Sequence, residues 1–239
     1  MNTFVISLGG SLISPEAGRV DTAFLKKFRA LILKYVKRGH RFAIIVGGGK
    51  VCRAWQEAVR KIITPPTPSY LKRGLRDDLD WIGIRATQLN AEIVRTMFGN
   101  MAYASVVCNP TQKVGKFRVL IGAGYVPGHS SDYDAVVRAK SVGAKVVVNL
   151  SNVSHVYDKD PRKFKDAKAL ESISWREYIA MFGKKWVPGV NVPFDPIASK
   201  TAHEANIKVV FMDGHNLKSL EGFLQGKKFN GTIIGDLNI

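Results

Sequence analysis

Hydrophobic positions in this chain alternate between two kinds of pattern. Short unbroken apolar runs fall at Thr3 to Leu8, Phe42 to Val46, Val119 to Ile121, Val146 to Val148 and Val209 to Met212, and predict buried strands. Between them, apolar residues recur every three or four positions. Phe24, Phe28, Leu31, Ile32 and Tyr35 trace one helix face, which Gly39 terminates, and Val51, Trp55, Ala58, Val59 and Ile62 trace a second. Leu79, Ile82, Ala86, Leu89, Ile93 and Met97 predict the longest helix, with Asp77, Asp78 and Asp80 at its start, where carboxylates favour the dipole. Ala135, Ala139 and Val142 predict another helix, Leu217 to Leu224 a short one, and Gly231 to Ile234 a terminal strand. The βαβα succession predicts a mostly parallel sheet with helices on both faces.

The irregular stretches carry the remaining signals. Thr64 to Pro68 reads TPPTP and predicts a surface loop. Trp175 to Pro196, with Gly183, Lys184, Lys185, Pro188 and Gly189, predicts a mobile basic flap, after which Pro193-Phe194-Asp195-Pro196 introduces a helix containing Lys200. Glycines cluster at strand ends: Gly9-Gly10-Ser11, Gly47-Gly48-Gly49-Lys50, and Gly122 and Gly124 leading to Ser130 and Ser131. Ser131 and Asp134 fit a capping box at the start of the next helix. Each turn would offer unpaired N–H groups and a positive dipole end, which suits an anion such as phosphate. A single turn of this kind is equally an ordinary crossover; three at one sheet edge would make a phosphate cleft. The P-loop pattern is absent, because Ile44 and Val51 stand at two of its required positions, and Pro127 breaks the dinucleotide pattern begun by Gly122 and Gly124.

Composition narrows the function. The 239 residues are 46% hydrophobic, enough for one large α/β domain or two packed lobes, and no apolar run reaches membrane-spanning length. Two cysteines, Cys52 and Cys108, are too few for a disulfide framework, so a cytoplasmic location is expected. The net charge of +17 would attract nucleotides or nucleic acid. Its Lys and Arg residues are dispersed and not interleaved with aromatics, so specific nucleic-acid binding is not expected.

Gly9-Gly10-Ser11, Val46-Gly-Gly-Gly-Lys50, Asp80-Trp-Ile-Gly-Ile84 with Asn90-Ala91, Pro127-Gly-His-Ser-Ser-Asp132, Tyr157-Asp-Lys-Asp-Pro161 and Asp195-Pro196 occur in an order that resembles the amino acid kinase family. The similarity runs through nearly the whole chain, and within the family it is closest to the archaeal type of uridylate kinase. It implies a three-layer αβα sandwich formed by residues 1–239 as one domain. The acceptor-binding lobe would span about 1–145 and the ATP-binding lobe about 146–239. It further implies γ-phosphoryl transfer from ATP, carrying Mg²⁺, to UMP, and a homohexamer built from dimers, with no metal held by the protein itself.

Carried over by position, the resemblance puts the ATP phosphates against Ser7, Leu8, Gly9, Gly10, Ser11, Gly49 and Arg53, and adenosine against Ser151, Tyr157 and Asp160. UMP would meet Gly48, Asp80 and the turn Tyr125, Val126, Pro127, Gly128, His129, Ser130 and Ser131. Lys200, Asp132 and Asp195 are the implied catalytic residues. The alternatives are a catalytically weakened member that binds nucleotide or RNA, and a kinase for another phosphate or carboxylate acceptor. Three departures stand out. Ser7 replaces a lysine common in the family, Ser154-His155 replaces an Asp-Gly pair, and Tyr133 and Asp134 replace small residues at the helix start.

Overall fold

The computed structural model describes residues 2–63, 69–161, 163–183 and 192–235. Strand β1 (Thr3–Leu8) turns through Gly9 into a single helical turn, α1 (Gly10–Ile13). Helix α2 (Thr22–Lys37), capped by Asp21 on Phe24 N–H, leads to β2 (Arg41–Val46), α3 (Gly49–Ile62) and the long α4 (Ser69–Phe98). Then come β3 (Val119–Gly122), α5 (Ser131–Val142) and β4 (Val146–Ser151). The hairpin β5 (Val156–Tyr157) and β6 (Ala169–Leu170) precedes β7 (Ser172–Ile173), α6 (Trp175–Phe182) and α7 (Pro196–Glu204). Strand β8 (Lys208–Asp213), α8 (Leu217–Leu224) and β9 (Thr232–Ile234) follow.

Seven strands form one sheet in the order β3-β2-β1-β4-β8-β9-β7, parallel except where β9 runs against β8. The alternation of side chains in β1 shows why helices cover both faces. Ile6 and Leu8 join Phe28, Tyr35, Val94, Phe98 and Leu220 on the side of α2, α4 and α8. Val5 faces the other way and joins Ala135, Ala139, Trp175, Tyr178 and Ala198 under α5, α6 and α7. The expected mostly parallel three-layer architecture is therefore present.

Three local expectations need correction. Helix α4 starts at Ser69, so Asp77, Asp78 and Asp80 lie more than two turns inside it and do not cap it. The N-cap of α5 is Ser130, whose Oγ accepts from Tyr133 N–H, so no Ser131–Asp134 capping box forms. The stretch from Trp175 opens as a helix, because Ser174 and Glu177 form a reciprocal capping box and Trp175 and Tyr178 bury one face. The Tyr178 hydroxyl then accepts from Phe194 N–H and donates to Phe194 O, fixing the chain just before Asp195. Lys184, Lys185, Pro188 and Gly189 of the expected flap, and the TPPTP segment, lie outside the described residues.

Candidate active site

The strand order creates the site. From β1 the chain moves to β2 on one side and later to β4 on the other, so a crevice opens at the carboxyl ends of these strands, where the connections diverge. Gly9 and Gly10 leave β1 there, and Gly47 to Gly49 leave β2. The two turns touch backbone to backbone: a Cβ on Gly10 would lie 2.3 Å from Gly47 O and from Gly49 N. Gly49 also has φ +65°, which disfavours any side chain. Asn90 on α4 ties this junction down, its Nδ2 donating to Gly47 O at 3.0 Å and Gly48 O at 3.2 Å. Leu8 is buried at the end of β1, and Gly9 N–H bonds Leu150 O across to β4.

The third turn joins the same crevice. Asp80, on α4, accepts from Gly128 N–H through Oδ2 at 3.0 Å. Thr87, two turns further along α4, accepts from Gly124 N–H at 2.8 Å. The Ser131 hydroxyl closes the circle, lying 3.5 Å from where a Cβ of Gly47 would be. Tyr125, Gly128 and His129 are exposed along this turn, Val126, Pro127, Ser130 and Ser131 partly so. Arg53 reaches from α3 to Ser11 Oγ at 3.0 Å, so the guanidinium stands over the N-terminus of α1. Gly10, Gly48, Arg53, Asp80 and Ser131, scattered over the first 131 residues, are thus brought together.

On the floor of the crevice, Asp132 links four elements. Its Oδ1 accepts from Ser7 Oγ at 2.9 Å and Asn149 Nδ2 at 2.8 Å, and its Oδ2 accepts a longer bond from Asp195 N–H at 3.4 Å. Ser7 and Asn149 are register partners on β1 and β4, both turned toward α5 like Val5 and Val147 two residues earlier. Burial pushes the Asp132 carboxyl up to about 6, and Asp195 nearby adds to this while the Ser7 and Asn149 donors oppose it. The Asp195 carboxylate is occupied as the N-cap of α7, accepting from Ala198 N–H at 2.7 Å. Lys200, one turn into α7, is exposed.

Beyond β4 the edge is built from side chains. Ser154 Oγ lies 3.2 Å from Tyr157 OH and 3.1 Å from His155 Nδ1, so the three form a short polar chain. His155 has no positive φ, so the residue standing where the family usually has glycine adds no backbone strain. Ser151 and Asp160 are partly buried on the same segment. Asn149 and Thr87 were not read as site residues from the sequence. Asn149 had a signal available: it interrupts an apolar strand at its carboxyl end, opposite Ser7.

This arrangement defines a class of α/β protein with three glycine-containing turns gathered at the carboxyl edge of a mostly parallel sheet. Residues 2–213 match the amino acid kinase family, and the chain belongs to that family. A uridylate kinase of Methanospirillum hungatei is 30% identical over 98% of this chain and 95% of its own length. One from Pyrococcus abyssi is 30% identical over 96% of this chain and 98% of its own. The solved structure of uridylate kinase from Archaeoglobus fulgidus has a TM-score of 0.78 at 26% identity, covering 98% of this chain and all of that one. The UMP kinase of Bacillus anthracis, at 19% identity and a TM-score of 0.76, shares the fold.

Proposed function

We propose that this protein is a uridylate kinase, transferring the γ-phosphoryl of ATP to UMP to give ADP and UDP for pyrimidine nucleotide synthesis. The observation that carries the reading is the backbone contact between the Gly10 and Gly47–Gly49 turns, with the Asp80-anchored turn beside them. Near-full-length similarity to proteins named uridylate kinase supports the acceptor. In this reading Ser7 to Ser11, Gly49 and Arg53 hold the ATP phosphates, and Ser151, Tyr157 and Asp160 border adenosine. Gly48, Asp80 and Tyr125 to Ser131 hold UMP. The lobes meet near residue 145.

A UMP phosphate oxygen attacks the γ-phosphorus, and the bond to the β-bridging oxygen breaks as ADP leaves. The nucleophile is already anionic, so the chain contributes position and charge rather than a base. Arg53 and Lys200 balance the charge together with the Mg²⁺ that arrives on ATP. Asp132 fixes β1, β4 and α5 in register, and Asp195 orients α7. The protein works in the cytoplasm as a dimer-based hexamer. An interface between copies is supported by α3, which buries none of its residues within the chain and leaves Trp55 64% exposed, and by Trp81 and Leu89, which are exposed on α4. Among the described residues no helix is long and apolar enough to cross a membrane.

A coupled assay of ADP release tests the reading with UMP, CMP, AMP and non-nucleotide acceptors. UMP is expected to give the highest kcat/KM. A higher value for another acceptor, or no ADP release with any of them, would overturn it.

A further inference from the structure

Two residues beyond Asp132, the same helix buries a second carboxyl that the proposed transfer does not use. Asp134 is 1% exposed, and neither of its oxygens has a hydrogen-bond partner among the described residues. Tyr125 N–H attracts the carboxylate without reaching full hydrogen-bond geometry. Arg138, one turn on and fully buried, supplies a positive field, but its Nη atoms are committed to Gln112 O at 2.9 Å and Asn109 O at 2.7 Å. His129 completes the surroundings. Its Nδ1 is 3.7 Å from Asp134 Oδ1, and its ring lies against Tyr133 with centroids 4.4 Å apart.

The two groups differ in access to water. The His129 side chain is 35% exposed and belongs to the turn assigned above to the acceptor phosphate, while Asp134 is shut in behind it. Burial pushes Asp134 up to about 7, with Tyr125 N–H and Arg138 opposing. Burial also pushes His129 down, opposed by the field of Asp195. The Cys108 thiol, on the segment that Arg138 pins, is raised by burial and further by Asp134, so it stays neutral and adds no negative charge. Both shifts favour the proton on the buried carboxyl over the exposed imidazole. A dianionic phosphate reverses that preference, because it favours a cation in the turn.

We propose that Asp134 is a positioning residue that stores a proton for His129 and hands it over when the acceptor phosphate occupies the turn. The Asp134 O–H bond breaks and an N–H bond forms at His129 Nδ1. The imidazolium then faces the phosphate, and the new carboxylate faces Arg138. No proton is drawn from solvent, and a tilt of the exposed ring closes the 3.7 Å gap. This rests on the assignment of the turn to the acceptor.

Nitrogen-15 NMR of the histidine imidazoles at pH 7, with and without UMP, reads the transfer, and His129→Gln identifies the signals. In the wild type, His129 should be neutral alone and an imidazolium with UMP. In Asp134→Asn it should stay neutral in both, with the UMP KM raised about tenfold and kcat and the ATP KM within about twofold. UMP binding that leaves wild-type His129 neutral overturns the proton transfer and leaves the acceptor assignment standing. Spectra unchanged by UMP and by other nucleoside monophosphates overturn both. Should the variant not fold, calorimetry of UMP binding in buffers of different ionisation enthalpy decides the matter: an imidazolium formed with no net proton uptake supports transfer from Asp134, and uptake of one proton overturns it.

Discussion

The two stretches of the sheet edge on either side of β1 are built from different materials. Toward β2 and β3 the wall is backbone, with Gly10 pressed on Gly47 and Gly49, and with Asn90, Thr87 and Asp80 holding carbonyls and amides from behind. Beyond β4 it is a row of side chains, Ser154, His155 and Tyr157, that bond one another. A backbone wall has no side-chain rotation with which to absorb change. A side-chain wall does, and the departures Ser154 and His155 fall there.

The sharpest way to break this comparison is to change one residue in each wall. Gly10→Ala would place a carbon 2.3 Å from two backbone atoms of the neighbouring turn, so one turn must move. On the proposed assignment of these amides to the ATP phosphates, displacing them by an ångström is expected to lower kcat/KM by about a hundredfold or more. The measurement is steady-state kinetics beside a thermal melt, so that loss of fold and loss of geometry are told apart. An equally active, equally stable Gly10→Ala would show that the backbone wall is not rigid. At the other wall, His155→Gly should change the ATP KM by no more than about threefold, because it removes one exchangeable polar contact.

Helix α5 stands between the walls, and its two carboxyls give the next largest effect. Asp132 has three donors, whereas Asp134 has no hydrogen bond among the described residues. A folded-state Asp134 pushed up to about 7 from an ordinary 3.8 means that the fold prefers the protonated acid. Its contribution to stability is complete below the ordinary value and is lost as pH rises through about 7. Asp134→Asn should remove this dependence. Stability relative to wild type should therefore grow between pH 4 and 8, on the order of 2–4 kcal/mol by the end. Denaturant melts across that range check it, and parallel wild-type and variant curves would refute it. The variant would be more stable yet a poorer binder of acceptor, a sign that a packing role does not produce.

Asp80 tests the backbone wall from behind. Asp80→Asn weakens the charged bond to Gly128 N–H, so the UMP KM should rise about tenfold with the ATP KM little changed. Equal rises in both would assign Asp80 to the cleft as a whole rather than to the acceptor side.

How far each region was legible in the sequence follows from the same contrast. Glycine is read directly, because only a close approach or a left-handed φ calls for it so often at strand ends. Gly10, Gly47 and Gly49 accordingly mark the cleft in the sequence itself. Six of the nine described strands and most helices were legible from their apolar patterns, including Leu217–Leu224 to the residue, whereas the two-residue strands β5, β6 and β7 were not. Contacts made by side chains over long separations were not. Asn149 meeting Asp132 and Thr87 meeting Gly124 depend on register and on α4 lying across the sheet edge. The start of α4 and the helix at Trp175 were obscured by neighbouring prolines and glycines, although Ser174 and Glu177 carried a capping signal that could have located the second. Asp134 read as a cap because a carboxylate in a first turn usually is one; only the packing shows that it points inward.

The smallest expected effect concerns the +17 charge. If the charge serves RNA, basic residues anywhere on the surface contribute, and affinity falls steeply with salt as counterions are released. If it only biases a nucleotide enzyme, position decides everything. Arg53 stands over the start of α1 and bonds Ser11, whereas Lys227 and Lys228 are exposed in the turn after α8. Replacing both lysines by alanine should leave kcat within about twofold, since exposed charges beyond a Debye length are screened at physiological salt. Arg53→Ala should cost about a hundredfold in kcat, as loss of a charge-stabilising group in a transfer site does. RNA should bind weakly and without sequence preference in all three proteins. Tight RNA binding at physiological salt that the double lysine variant weakens, in a chain that forms no UDP, would make this an RNA-binding member of the family.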